Sequence, residues 1–148
     1  MRVILDANIV AALFLPLPFS AQARKHIATW DRTGLELLAP ALFEYEVHSV
    51  LHRAATVGLL TYREAKKAVQ DAQALAVYCV PPSSELHDRA WYWADRLNHS
   101  KTYDAQYVAL AELERADLWT ADRRLANGAR QVGAGWVHWI GESAPERP

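Results

Sequence analysis

The chain has 148 residues, 51% hydrophobic and 22% charged, which suits one globular core and excludes a disordered polyelectrolyte. Its 16 basic and 17 acidic residues leave a formal net charge of −1, so no basic excess marks it for non-specific nucleic-acid binding. The single cysteine, Cys79, excludes an intrachain disulfide and a cysteine zinc cluster, and the apolar stretch from Ile9 to Phe19 is too short and too broken by prolines to cross a bilayer.

Val3-Ile4-Leu5 is an all-apolar run that predicts a parallel strand buried on both faces, and it ends at Asp6. No secretory pattern is read ahead of it, so a cytoplasmic protein without a membrane partner is expected. A short helix follows over Ile9–Leu15, stopped by Pro16 and Pro18. Ser20 can cap a second helix running to about Trp30, closed by Thr33-Gly34. Leu37–Ala39 reads as a strand, with Pro40 in the first turn of a long helix to about Thr56 that Gly58 ends. Thr61 and Glu64 have capping-box spacing for a helix to about Ala74.

Val77–Val80 predicts a third strand, halted by Pro81-Pro82, after which Ser83 or Ser84 caps a helix to about Leu97. Lys101–Arg115 is a helix, Asp117–Thr120 a strand, Arg123–Asn127 a short helix closed by Gly128, and Trp136–Trp139 the last strand. Strands alternate with helices and no repeat or linker interrupts them. That pattern predicts an α/β fold with a mostly parallel sheet covered on both faces. Residues 1–140 make one domain, and Gly141–Pro148 is expected to be a flexible tail.

Chemistry in open α/β sheets gathers beyond the carboxyl ends of the strands, where Asp6 and Asp122 both fall. Each also has a purely structural reading as the cap of the helix that follows, and Asn8 is a cap or a second polar support. Glu44 and Glu46 flank the apolar stripe of their helix symmetrically, so helical geometry does not choose between them. Asp104 shares the i, i+3, i+4, i+7 face of Tyr107, Val108 and Ala111, where an unpaired carboxylate is costly; its structural alternative is an ion pair with Lys101 or Arg96. Two carboxylates about 4 Å apart repel by about 4 kcal/mol at an effective dielectric near 20. Convergence of several therefore implies bound divalent cations or raised pKa values.

The segments RVILDANIV, LLAPALFEYEVHSVL, SKTYDAQYVALAE and LWTADRRLA resemble, in order and spacing, the four acidic motifs of PIN-domain ribonucleases. More narrowly the chain is similar to VapC toxins of type II toxin–antitoxin pairs, over nearly its whole length. The resemblance implies a three-layer α/β/α sandwich with a five-stranded sheet of order 3-2-1-4-5. By motif position it assigns the acids to Asp6, Glu46 (six residues after the proline), Asp104 and Asp122, with Asn8 and Thr120 in support. It further implies a Mg2+- or Mn2+-dependent endoribonuclease, a homodimer, inhibition by a cognate antitoxin, and structured RNA such as tRNA or rRNA as substrate.

Lys101, Arg123 and Arg124 lie near the acids in sequence and are candidate contacts for RNA phosphates, or else solvated surface charges. His99 reads as an incidental loop histidine. Trp91 and Trp93 cannot share a helix face, so one ring is expected at the surface, available to a dimer or antitoxin contact. A phosphatase using Asp6 as nucleophile wants a second aspartate two residues on, and that position is Asn8. Two other readings keep the same fold: an RNA-processing nuclease, and a non-catalytic binding module whose acids are structural.

Overall fold

Val3, Ile4 and Leu5 are at most 2% exposed, as a strand apolar on both faces must be. The computed structural model describes residues 1–142. In it this strand, β1 (Arg2–Leu5), is the centre of a five-stranded sheet. β2 (Glu36–Pro40) and β4 (Asp117–Thr120) pair with it on either side, while β3 (Tyr78–Val80) and β5 (Val137–Trp139) form the edges. All four pairings are parallel, in the order β3-β2-β1-β4-β5 that was expected. The chain winds outward from β1 to β3, then returns to the other side of β1 to lay down β4 and β5. The carboxyl ends of β1 and β4 therefore flank the point where the winding reverses, where such sheets place their ligands.

Seven helices among the described residues flank the sheet: α1 (Ala7–Phe14), α2 (Ser20–Arg32), α3 (Leu42–Thr56), α4 (Tyr62–Gln73), α5 (Ser84–Arg96), α6 (Tyr103–Glu114) and α7 (Arg123–Gln131). α1 packs on α2 and α3, and α3 on α4; α5 packs on α6, which lies against β1, β2 and β4. α6 buries every residue from Ala105 to Ala111, Gln106 included, so it is buried all round rather than on one stripe. It thereby fixes Tyr107 against the central strands. No helix among the described residues is long and apolar enough to cross a membrane.

The structure moves several element ends. Pro40 does not open a helix: it is the last residue of β2, opposite Val80, and α3 starts at Leu42. Extended backbone accepts the φ of proline, and a strand terminus has no further ladder bond for it to lose. α6 begins at Tyr103, not Lys101. Ser83 rather than Ser84 caps α5, accepting the Leu86 N–H at 3.1 Å. α7 runs through Gly128 to Gln131, and the left-handed exit is made at Gly133 with φ 105°. β5 starts at Val137, although the Trp136 carbonyl still accepts the Leu118 N–H.

The start of the expected tail is held in place. Glu142 Oε1 accepts the Trp139 N–H at 3.0 Å and Glu142 pairs with Arg130 at 3.1 Å, so the chain stays tied to α7 and β5 through residue 142. The remainder of that tail, 143–148, lies outside the described residues.

The turn leaving α4 passes through Ala76 at φ 55°, a left-handed conformation that strains a residue with a Cβ. Ala76→Gly is expected to raise stability by up to about 1 kcal/mol in urea unfolding. A loss of stability would contradict that assignment of strain.

Candidate active site

Leu5 pairs with Trp119, so the next residues, Asp6 and Thr120, emerge side by side at the carboxyl edge of the two central strands. Asp6 is 4% exposed and Thr120 is fully buried. The Thr120 hydroxyl donates to Asp6 Oδ2 at 2.7 Å and accepts both the Asn8 side-chain amide at 3.3 Å and the Asp122 N–H at 3.0 Å. Asn8 Oδ1 in turn accepts the Ala121 N–H at 2.8 Å. Asp6 also caps α1, taking the Asn8 N–H at 3.4 Å. The capping reading and the convergent-acid reading hold together.

Burial strips Asp6 of hydration and pushes its pKa up to about 7, and Glu46 and Asp104 add repulsion, while the bonds from Thr120 and Asn8 pull the other way. Glu46, from α3, accepts the Tyr107 hydroxyl at 2.9 Å. Its pKa is raised mainly by burial, opposed by that hydrogen bond and reinforced by Asp104. Tyr107 is 1% exposed, and burial together with Asp6 and Glu46 holds its proton firmly on the phenol. Asp104 is raised by burial, lowered by His99 and raised again by Asp122. Asp122 caps α7 through the Arg124 and Leu125 N–H groups at 2.9 and 3.1 Å. Repulsion thus couples Asp6 to Glu46 and Asp104, Glu46 to Asp104, and Asp104 to Asp122. All four acids share one electrostatic site.

Some expectations change here. Asp104 is only half-buried: its side chain is 47% exposed, because the first turn of α6 carries it toward the surface beside the exposed Tyr103. Its basic neighbour is neither Lys101 nor Arg96 but His99, whose Nδ1 lies 3.8 Å away. The loop histidine therefore belongs to the site's surroundings, as does Tyr107, which had counted only as part of the apolar face. The one sequence signal for Tyr107 was its place one helical turn after Asp104. Glu44 is exposed and faces Cys79, raising the thiol's pKa behind the larger effect of burial. The structure turns Glu46 toward the other acids, and Glu44 away.

Among the flanking cations, Arg124 lines a cleft with Asp104 and Asp122. Arg123 lies over the Trp139 ring, 4.9 Å from its centroid, and Lys101 is exposed ahead of α6. Trp93 is buried and Trp91 is 68% exposed, the division that their spacing predicts.

The donor set is all carboxylate oxygen, three of its members destabilised as anions, which suits a hard divalent cation. Among the described residues no three His, Cys, Asp or Glu side chains stand arranged as a ready-made metal cage. Each acid is instead turned to its own neighbour: Asp6 to Thr120, Glu46 to Tyr107, Asp104 to His99. Carboxylate ligation that leaves part of the shell to water, the habit of Mg2+, fits such a layout better than a closed protein cage.

A parallel sandwich with four coupled acids at its switch point defines a class, and comparison with known proteins gives the family. The PIN domain family model matches residues 3–131, and the chain belongs to that family. It is 36% identical over 131 residues to "Ribonuclease VapC3" of Pyrobaculum aerophilum, covering 85% of this chain and 93% of that protein. It is 34% identical over 125 residues to "Ribonuclease VapC9" of Mycobacterium tuberculosis, covering 84% and 89%.

Two solved structures share the fold. One is VapBC2 from Rickettsia felis bound to a DNA fragment from their promoter, with TM-score 0.67, 11% identity and coverage of 94% and 98%. The other is Mycobacterium tuberculosis VapC20, a Sarcin-Ricin loop cleaving toxin, with TM-score 0.64, 17% identity and coverage of 84% and 93%.

Asp6 binds its proton more tightly in the folded chain, near pH 7, than at the ordinary carboxylate value of 3.8. Between those values the unfolded chain has released a proton that the folded chain keeps. The stability from this group is therefore full below pH 3.8 and is lost as pH rises through 7. In cation-free buffer the melting temperature should fall from pH 5 to pH 8, and Asp6→Asn should flatten that slope and raise stability at pH 8. A steeper slope in the variant would contradict the assignment. Thr120→Val keeps the shape but strands Asp6, Asn8 and the Asp122 N–H; urea unfolding should show a loss of about 1–3 kcal/mol.

Proposed function

We propose that this chain is a Mg2+- or Mn2+-dependent endoribonuclease and the toxin of a type II toxin–antitoxin pair, cutting structured RNA such as tRNA or rRNA in the cytoplasm. The observation that carries the reading is the coupling of four acids at the carboxyl edge of β1 and β4, in a chain whose relatives are named ribonucleases. Asp6, Glu46 and Asp104 would hold the cation, and Asp122 would complete the site directly or through water. When bound, the cation supplies positive charge that offsets the charge developing on a phosphodiester and makes water a stronger nucleophile.

The chain's own residues prepare that site. Thr120 and Asn8 hold the Asp6 carboxyl in one orientation, and Tyr107 does the same for Glu46. Asp6 keeps a proton on its carboxyl below about pH 7, so cation binding and proton release are linked. Asn8 donates to Thr120 and accepts from Ala121, an orienting role, and as an amide it offers no second carboxyl for phosphatase chemistry. Lys101, Arg123 and Arg124 would meet RNA phosphates around the edge.

An antitoxin and a second copy of the chain complete the proposal. A cavity of 1050 Å³ beside α1, α2 and β2, walled by Leu13, Phe14, Ile27, Leu37 and Leu75, is an apolar seat for an antitoxin segment. Exposed Trp91 and Tyr92 on α5 supply aromatic anchors for a homodimer.

Asp6→Asn and Asp104→Asn are each expected to lower RNA cleavage at least about 100-fold while the circular-dichroism spectrum stays native. Chelation with EDTA should stop cleavage and Mg2+ or Mn2+ restore it. Cleavage that persists in both variants, or in EDTA, would sink the metal-dependent site. As a toxin, the chain should arrest growth when expressed alone; harmless expression of a protein that cleaves RNA in vitro would favour the RNA-processing reading.

A further inference from the structure

Between the C-terminal turn of α5 and the flank of α7 lies an open cleft of 390 Å³. Asp104 and Asp122 stand at one end of it. Its floor follows one stripe of α7, from Arg124 and Leu125 through Gly128 to Gln131 and Val132, the spacing of a single helix face. The opposite wall is Arg96, Leu97 and His99. The cleft therefore starts at the acids and extends along α7 for its whole length.

Its basic residues differ in their commitments. Arg96 is spent on the fold: Nε and Nη2 donate to the Val132 carbonyl at 3.1 and 2.7 Å, which closes the far end. His99 faces Asp104. The Arg124 side chain, in the first turn of α7 beside Asp122, makes no hydrogen bond or ion pair among the described residues. It is a guanidinium without a partner among the described residues, beside an acidic edge in a cleft of 390 Å³.

Gly128 points the same way. Glycine inside a helix is destabilising relative to alanine. Here φ is not positive, and a Cβ would meet only Leu97 Cδ2 at 3.9 Å, an ordinary contact. Neither backbone nor packing requires glycine at this position. What glycine does is keep the floor of the cleft low, since a larger side chain would stand up into it.

We propose that this cleft seats the RNA strand on one side of the scissile phosphate, with Arg124 facing the adjoining phosphate and Gly128 leaving room for the nucleotide. The proposal rests on the ribonuclease reading. A polyanion suits a trough that pairs a free arginine with a neighbouring cation site, because each neutralises a different phosphate.

The test combines kinetics and mapping on the full chain. Gly128→Gln should keep the wild-type melting temperature or exceed it, raise KM for RNA about 10-fold, and leave kcat within about threefold. Arg124→Gln should raise KM similarly and reduce the salt dependence of binding. Gly128→Ala, which adds one methyl group, should raise the melting temperature by about 2–4 °C with a smaller effect on KM. For mapping, a short mixed-sequence oligoribonucleotide is titrated into cation-free Asp6→Asn protein, with amide shifts expected along 124–132.

A folded Gly128→Gln with KM within about twofold of wild type overturns the proposal. If that variant does not fold, oligoribonucleotide shifts that spare α7, or that inorganic phosphate alone reproduces in full, overturn it instead. Wild-type protein that cleaves no RNA but shows the α7 shifts removes the ribonuclease reading and keeps the cleft. Cleavage without those shifts or KM changes removes the cleft alone.

Discussion

The hydrogen bond from the Thr120 hydroxyl to Asp6, 2.7 Å long, joins the ends of the two strands on which the site depends. Asp6 is the sixth residue and Thr120 lies 114 positions away, so only the β1–β4 pairing brings them together. That pairing exists because the chain reverses its winding at β1, leaving an open edge between two buried strands. Thr120 then serves three groups with one oxygen: it donates to Asp6 and accepts from Asn8 and Asp122. A buried carboxyl group, a helix cap and a loop turn are held by the same hydroxyl.

The remaining acids complete an electrostatic system that the protein only partly relieves. Each is steadied by one neighbour, yet burial and mutual repulsion still raise Asp6, Glu46 and Asp104. Tyr107 cannot give up its proton beside two carboxylates, so it acts as a fixed donor that orients Glu46. Such an edge is stable either protonated or beside positive charge, and near neutral pH the two alternatives compete. The proposed catalytic role uses that balance, because the mutual repulsion that adds to the effect of burial on the carboxyl pKa values is relieved by a divalent cation.

Much of the frame could be read from the chain. Val3-Ile4-Leu5 and the alternation of strands and helices pointed to a parallel sheet, since strands buried on both faces lose the period-2 pattern. The ends of elements were harder. Pro40 has a φ that serves a strand end as well as a helix start, and only its pairing with Val80 separates the two. Gly128 looked like a stop, but helix termination was set at Gly133 by the left-handed turn.

The site was legible in its strand-end acids and less so in its helical ones. Glu44 and Glu46 flank one stripe symmetrically, and a tertiary partner, the Tyr107 hydroxyl, decides which of them faces the acids. Asp104 looked buried because it shares a face with Tyr107, Val108 and Ala111, but that spacing does not report which turn of α6 leaves the core. His99 carried no signal at all, its place being set by the path of the loop back toward α6.

The central claim is that the acid edge holds protons which a divalent cation must displace. It is tested most directly by calorimetric titration of Mn2+ into the RNA-free protein near pH 7, in two buffers of different ionisation enthalpy. The account predicts saturable binding with net proton release, and loss of that release in Asp6→Asn. Absence of binding, or binding with no proton released by the wild-type protein, would contradict it.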